Sequence, residues 1–140
     1  MIPGFELAMT VHVTIAAPLT IGELGAGMRR VIPITGGSFA GPALRGEVLP
    51  GGADWNLTRR DGVAEVWARY TLRTHDGVLI GITNAGLIAT RPDGSRYART
   101  VPQFEVPEGP YRWLCESVFV GTLTPVEGGG AVDLQFFRLT

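Results

Sequence analysis

The residues of this chain best suited to chemistry are a carboxylate, a few arginines and a set of aromatic rings. Asp54-Trp55 follows the run Pro50-Gly51-Gly52-Ala53, a flexible approach that lets a carboxylate and an indole reach over the mouth of a cavity. A carboxylate among aromatic rings has its charged form disfavoured by desolvation, which raises its pKa and suits it to general acid–base work. The plainer alternative is a turn-capping Asp beside a packing Trp, since loop aspartates commonly bond nearby backbone. Arg69 alternates with Glu65, Trp67, Thr71 and Arg73, while Val66, Ala68, Tyr70 and Leu72 face the other way. Hydrophobicity puts the second set inside and leaves Arg69 outside, solvated or ion-paired. The alternative is a polar lumen in which Arg69 grips a carboxylate, phenolate or enolate with both arms. Arg29 and Arg30 precede Val31-Ile32-Pro33-Ile34, so adjacent positions send them to opposite faces, either with one of them inward or with a surface Arg whose stem covers apolar area. Glu105 follows Phe104 at a strand end, either as a site carboxylate or as an exposed residue. Tyr70, Phe104, Tyr111 and Trp113 form either an aromatic wall for a planar ligand or ordinary core.

Absent residue types narrow the chemistry further. All twelve basic residues are arginines, so Schiff-base chemistry, pyridoxal-phosphate attachment and a P-loop lysine are excluded for want of an amine. His12 and His75 are the only histidines and Cys115 the only cysteine; no ligand set for zinc or iron follows, and no internal disulfide. Ser38 within Gly36-Gly37-Ser38-Phe39-Ala40 misses the nucleophile elbow because Ala40 stands where the closing glycine belongs and no helix follows. Gly22, Gly25 and Gly27 fail as a dinucleotide loop for the same lack of a helix. No cofactor is expected. Net charge is −1 with dispersed arginines, which argues against nucleic acid. No apolar run reaches the roughly 18 residues of a membrane helix, and the first residues lack a signal-peptide pattern, so no membrane is expected and the cytoplasm is the expected location.

The elements that must position these residues are strands. From Phe5 to Ile15 the chain alternates, Phe5, Leu7, Met9, Val11, Val13 and Ile15 against Glu6, Ala8, Thr10, His12 and Thr14; period two means a strand with one buried face. Asp61-Gly62, Asp76-Gly77 and Asp93-Gly94 each lie between β-branched or aromatic runs, as hairpin turns with positive φ prefer. Longer breaks fall at 17–27, 50–54, 107–110 and 125–130, leaving strands near 5–15, 29–35, 38–49, 55–60, 64–74, 78–90, 96–105, 111–124 and 131–139. No segment has a sustained 3.6-residue apolar period. At 140 residues there is room for one core, so a single domain over 1–140 is expected. A meander of this length hides its edges by closing, and the expected fold is an all-β, single closed antiparallel barrel of about eight strands, whose interior is filled or holds one small ligand.

The string from Gly27 to Trp55, GMRRVIPITGGSFAGPALRGEVLPGGADW, resembles the opening signature of a domain-of-unknown-function family, number 3237. Asp61-Gly62, Ala68 to Thr74 before Asp76-Gly77, Phe104-Glu105, Tyr111, Trp113-Leu114 and Gly121 extend the likeness over nearly the whole chain. The resemblance implies a barrel similar to those of allene oxide cyclase and the dirigent proteins, and no settled activity. The family often has Asn where this chain has Cys115 and an acidic residue where it has Trp67. The leading expectation is a cofactor-independent isomerase, cyclase or lyase acting on a small hydrophobic or aromatic oxygenated compound. Asp54 moves a proton, Arg69 or Arg29 stabilises an oxyanion with Glu105 nearby, and Trp55 and Trp113 hold the substrate face. The alternatives are a non-catalytic carrier with an aliphatic lumen, or an oligomeric structural module with a packed one. A homodimer or homotrimer is expected to cover semi-apolar outer faces.

Overall fold

The alternation that opens the chain becomes strand β1, Phe5–Ile15, in a computed structural model that describes residues Met1–Thr140. The remaining strands are β2 (Leu19–Leu24), β3 (Gly27–Ala40), β4 (Arg45–Val48), β5 (Gly52–Arg59), β6 (Ala64–Thr74), β7 (Leu79–Thr90), β8 (Arg96–Glu105), β9 (Phe119–Pro125) and β10 (Ala131–Leu139). All pair antiparallel. Neighbours run β1-β10-β9-β8-β7-β6, then through β4 and β5 to β3, and β3 closes the ring on β1 by pairing Ala40–Ile34 with Thr10–Ile15. β4 and β5 lie end to end in one place of the ring, between β3 and β6. The result is a closed eight-strand antiparallel barrel with two extra strands.

The three Asp-Gly pairs form the expected hairpins. In each, the glycine has φ +87° and its N–H returns to the carbonyl three residues back: Gly62 to Arg59, Gly77 to Thr74, Gly94 to Arg91. This is a type I turn closed by a left-handed glycine, whose twist suits a hairpin. Closure itself needs Gly37, which has φ +138° and whose added Cβ would stand 1.9 Å from the His12 carbonyl oxygen. Only a residue without a side chain lets β1 and β3 approach there.

Several boundaries differ from the sequence reading. The stretch 17–27, expected as a break, contains β2, because Leu19 to Leu24 can pair with Val31 to Gly27 once a bulge between Thr20 and Gly22 absorbs the register slip. The runs expected at 29–35 and 38–49 divide elsewhere: β3 passes through Gly36-Gly37 without stopping, and the chain turns after Ala40. The strand expected at 111–124 is a 3-10 helix at Arg112–Cys115 followed by β9, since local turn bonds such as Leu114 N–H to Tyr111 carbonyl replace a ladder. Phe5 and Leu7 are exposed, not core, because a bulge between Leu7 and Met9 flips the alternation before Met9, Val11 and Val13 turn inward.

The interior has two unlike halves. At one end Phe104 packs edge-on against Phe119 and Phe136, with centroids 5.2 and 6.1 Å apart, beside Leu72, Ile80 and Ile82, none of which is exposed. Tyr111 and Leu114 plug that end, the Tyr111 hydroxyl donating to Asp76 at 2.8 Å. The other end is not filled. No helix is long and apolar enough to cross a membrane.

Candidate functional site

The unfilled half holds a cavity of about 440 Å³ of atom-free space, its opening included. Its walls are largely aliphatic, with Val13, Ile32, Ile34, Val66 and Leu134 prominent, and three residues bring polar groups into it: Asp54, Tyr70 and Asn84. Sheet register fixes their arrangement. Ala68 of β6 pairs with Asp54 on one side and with Asn84 on the other. The carboxylate and the amide therefore stand two strand spacings apart, roughly 10 Å at the backbone, across a residue too small to fill the gap. Tyr70 lies two positions along the same face of β6.

Asp54 sits within β5, not in the flexible loop before it. Its Oδ1 accepts the main-chain N–H of Trp67 at 2.9 Å, and its Oδ2 accepts the Asn56 amide at 3.3 Å. The β5–β6 ladder is interrupted at this point: pairs join Asp54 to Ala68 and resume only at Leu57–Glu65. The Trp55 carbonyl accepts instead from Arg29 Nη1 at 3.2 Å. Burial pushes the Asp54 pKa up, against the Trp67 N–H, the Asn56 amide and the charges of Arg30 and Arg29, all of which favour the anion. Desolvation wins because neither arginine forms a close ion pair with the carboxylate.

Tyr70 is 4% exposed and Asn84 1% exposed, and neither the Tyr70 hydroxyl nor the Asn84 Oδ1 has a hydrogen-bond partner. The Asn56 Oδ1 is also buried and unpartnered. Burial pushes the Tyr70 phenol far up, so it stays protonated. Buried polar atoms without partners carry a desolvation cost of about 1–3 kcal/mol each. Two of them, on Tyr70 and Asn84, belong to residues lining one apolar cavity, the pattern of a site that takes a polar ligand.

The other residues singled out in the sequence lie elsewhere. Arg69 is on the outer wall, where it donates to Thr83 at 2.8 Å and forms an ion pair with Glu105. Trp55 is also outside, its ring edge-on to Trp67 at 5.7 Å. Phe104 and Tyr111 belong to the packed half and its plug. Trp113, half-buried, lies under the Arg138 guanidinium, 5.8 Å from the ring centroid. Cys115 is exposed on the 3-10 helix rather than on a strand face, its thiol donating to the Arg112 carbonyl at 3.2 Å. Of the predicted set, the cavity brings together Asp54 and Tyr70, while Arg29 is outside its lining and acts on Asp54 only through its charge. Asn84 and Ala68 were not foreseen. A signal for Asn84 existed, since Ile80, Ile82 and Asn84 alternate in one phase and a polar residue at an apolar position is the informative exception.

The sequence pattern of a family of proteins of unknown function (DUF3237) matches residues 3–139. The chain belongs to this family. A UPF0311 protein of Clostridium acetobutylicum is 36% identical, covering 98% of this chain and 94% of that one, and a UPF0311 protein of Rhodopseudomonas palustris is 35% identical over 87% and 90%. Among solved structures, the C. acetobutylicum protein of unknown function superposes with a TM-score of 0.92 at 32% identity, covering 98% of this chain and 99% of that one. A β-barrel-like protein of Acinetobacter baumannii gives 0.94 at 31%, covering 100% and 98%. An enzyme of Penicillium herquei has a TM-score of 0.80 at 23% identity over 99% and 95%, a likeness of fold. The DUF3237 barrel is thus a shared scaffold, and the fold alone does not fix the chemistry of its cavity.

Proposed function

We propose that this barrel takes a small, largely apolar oxygenated molecule into its open half and performs cofactor-independent acid–base chemistry on it, of the isomerase, cyclase or lyase kind, with Asp54 as the proton-moving group. The observation that carries the reading is the convergence of one carboxyl, one phenol and one amide on an otherwise aliphatic cavity, with the Tyr70 hydroxyl and the Asn84 Oδ1 unpartnered. A carboxyl whose pKa is raised by burial is better suited to give and take a proton than one at its ordinary value. The Tyr70 hydroxyl can donate to an oxygen as negative charge develops on it. Arg69 and Glu105, engaged with each other outside, take no part.

The test is ligand capture followed by analysis of what is recovered. Incubation with a panel of small phenols and unsaturated ketones is expected to give saturable binding that Tyr70→Phe weakens about tenfold. It should also give conversion of at least one class that Asp54→Asn abolishes. A panel that shows no saturable binding overturns the reading. The second reading, a carrier, is favoured by the wall itself, ten of whose twelve lining residues are hydrophobic; ligands bound and released unchanged by both wild type and Asp54→Asn would establish it instead.

A further inference from the structure

We propose that Arg30 makes the mouth of the cavity a receptor for an anionic group, so that the ligand is an amphiphilic acid whose apolar body fills the barrel while its carboxylate meets Arg30. This rests on the reading of the cavity as a ligand site and adds the substrate class. The placement follows from register. β3 pairs with β5 without a break from Gly27–Arg59 to Ile34–Gly52, so Arg30 opposes Asn56 and Ile32 opposes Asp54. Ile32 and Ile34 line the cavity, and Arg30 lies on the same face in the same phase, two residues nearer the rim, a rise of about 7 Å.

On the neighbouring strands β5 and β6 every arginine has an acidic partner: Arg59 holds Asp61, Arg69 holds Glu105 and Arg73 holds Glu47. Arg30 has none. Its neighbour Arg29 donates to the Trp55 carbonyl, and Asp54, the carboxylate on which its charge acts, accepts instead from the Trp67 N–H and the Asn56 amide. Arg30 is half-buried, and its charge reaches Asp54 more strongly than that of Arg29. A guanidinium on the strand position next beyond the lining residue Ile32 offers a planar pair of donors matched to a carboxylate. A molecule with a polar oxygen at one end, a ring or short chain, and a carboxylate at the other spans from Tyr70 and Asn84 to Arg30.

The probe pair is 3-(4-hydroxyphenyl)propionate and its primary amide, which share one shape and differ in charge. Titration calorimetry on the intact protein is expected to show the acid binding at least about tenfold tighter than the amide, the scale of a charge-assisted bond over a neutral one. Arg30→Gln should bring the two within about twofold of each other, chiefly by weakening the acid, and Arg30→Lys should restore part of the preference. Circular dichroism confirms that the variants fold. Equal binding of acid and amide by wild type, or a preference that survives in Arg30→Gln, overturns the role of Arg30 and leaves the cavity reading standing. Failure of both probes to bind overturns the two together.

Discussion

Asp54 Oδ1 accepts the main-chain N–H of Trp67 at 2.9 Å, so a carboxylate on the lumen face does the work of a carbonyl in the β5–β6 ladder. The bond fixes the carboxyl against the wall, and its other oxygen accepts only the longer 3.3 Å bond from the Asn56 amide. A proton-moving group held by the scaffold in this way needs little reorganisation when a substrate arrives.

The raised Asp54 pKa makes a prediction about stability. In the folded protein this carboxyl titrates above its ordinary 3.8, so the folded state holds the proton more tightly than the unfolded chain does. Stability therefore falls as pH rises from about 4 through the folded pKa. Asp54→Asn removes the charge and keeps an oxygen for the Trp67 N–H, while the Asn56 amide can turn its free Oδ1 to the new amide. The variant is expected to be more stable than wild type at pH 7 by about 1 kcal/mol, a Tm rise of about 2–4 °C. Thermal melts across pH 4–8 should show this advantage vanishing toward pH 4; an advantage that stays constant would mean that the carboxylate is not destabilised by its site.

Tyr70→Phe separates binding from folding. The hydroxyl is buried without a partner, so its removal is expected to leave the empty barrel unchanged or to stabilise it by about 1 kcal/mol, while affinity for oxygenated ligands drops about tenfold. Denaturant unfolding and ligand titration on the same preparation read both effects. A loss of stability of several kcal/mol would place an undetected partner on that oxygen.

Ala68 is the gap between Asp54 and Asn84. Ala68→Leu projects three carbons into the open half and is expected to abolish ligand binding while costing at most about 1–3 kcal/mol, the usual range for added bulk in a core. Retention of wild-type affinity by a folded Ala68→Leu protein would move the ligand site elsewhere.

Arg69→Ala tests the outer wall. Its ion pair with Glu105 is between side chains 46% and 69% exposed, and exposed pairs contribute roughly 0–1 kcal/mol. Ligand affinity and turnover are expected to match wild type, with a change in stability under about 1 kcal/mol. A hundredfold loss of turnover would return Arg69 to the chemistry.

By itself the sequence determined the class of fold and the limits of the chemistry. Alternation at period two in Val66-Trp67-Ala68-Arg69-Tyr70 and glycines obliged to adopt positive φ at positions 62, 77 and 94 are local properties, legible because each depends only on neighbours in the chain. The absence of lysine is likewise independent of fold. Hydrophobic alternation also told which face of β6 is inward, and Arg69 lies on the other. What only the tertiary structure decided is which residues meet. Asp54, Ala68 and Asn84 are far apart in sequence and adjacent only because β5, β6 and β7 pair in one register. Phe104, Tyr111 and Phe119 close one end of the barrel and leave the other open, an outcome of how side-chain volumes add up across strands. Bulges after Leu7 and Thr20 shift which residues face in, and no local pattern announces them, since a bulge answers to the partner strand it must match. The candidate site is therefore half legible: its carboxyl and its phenol could be named from their neighbours, but the gap between carboxyl and amide exists only once the sheet is closed.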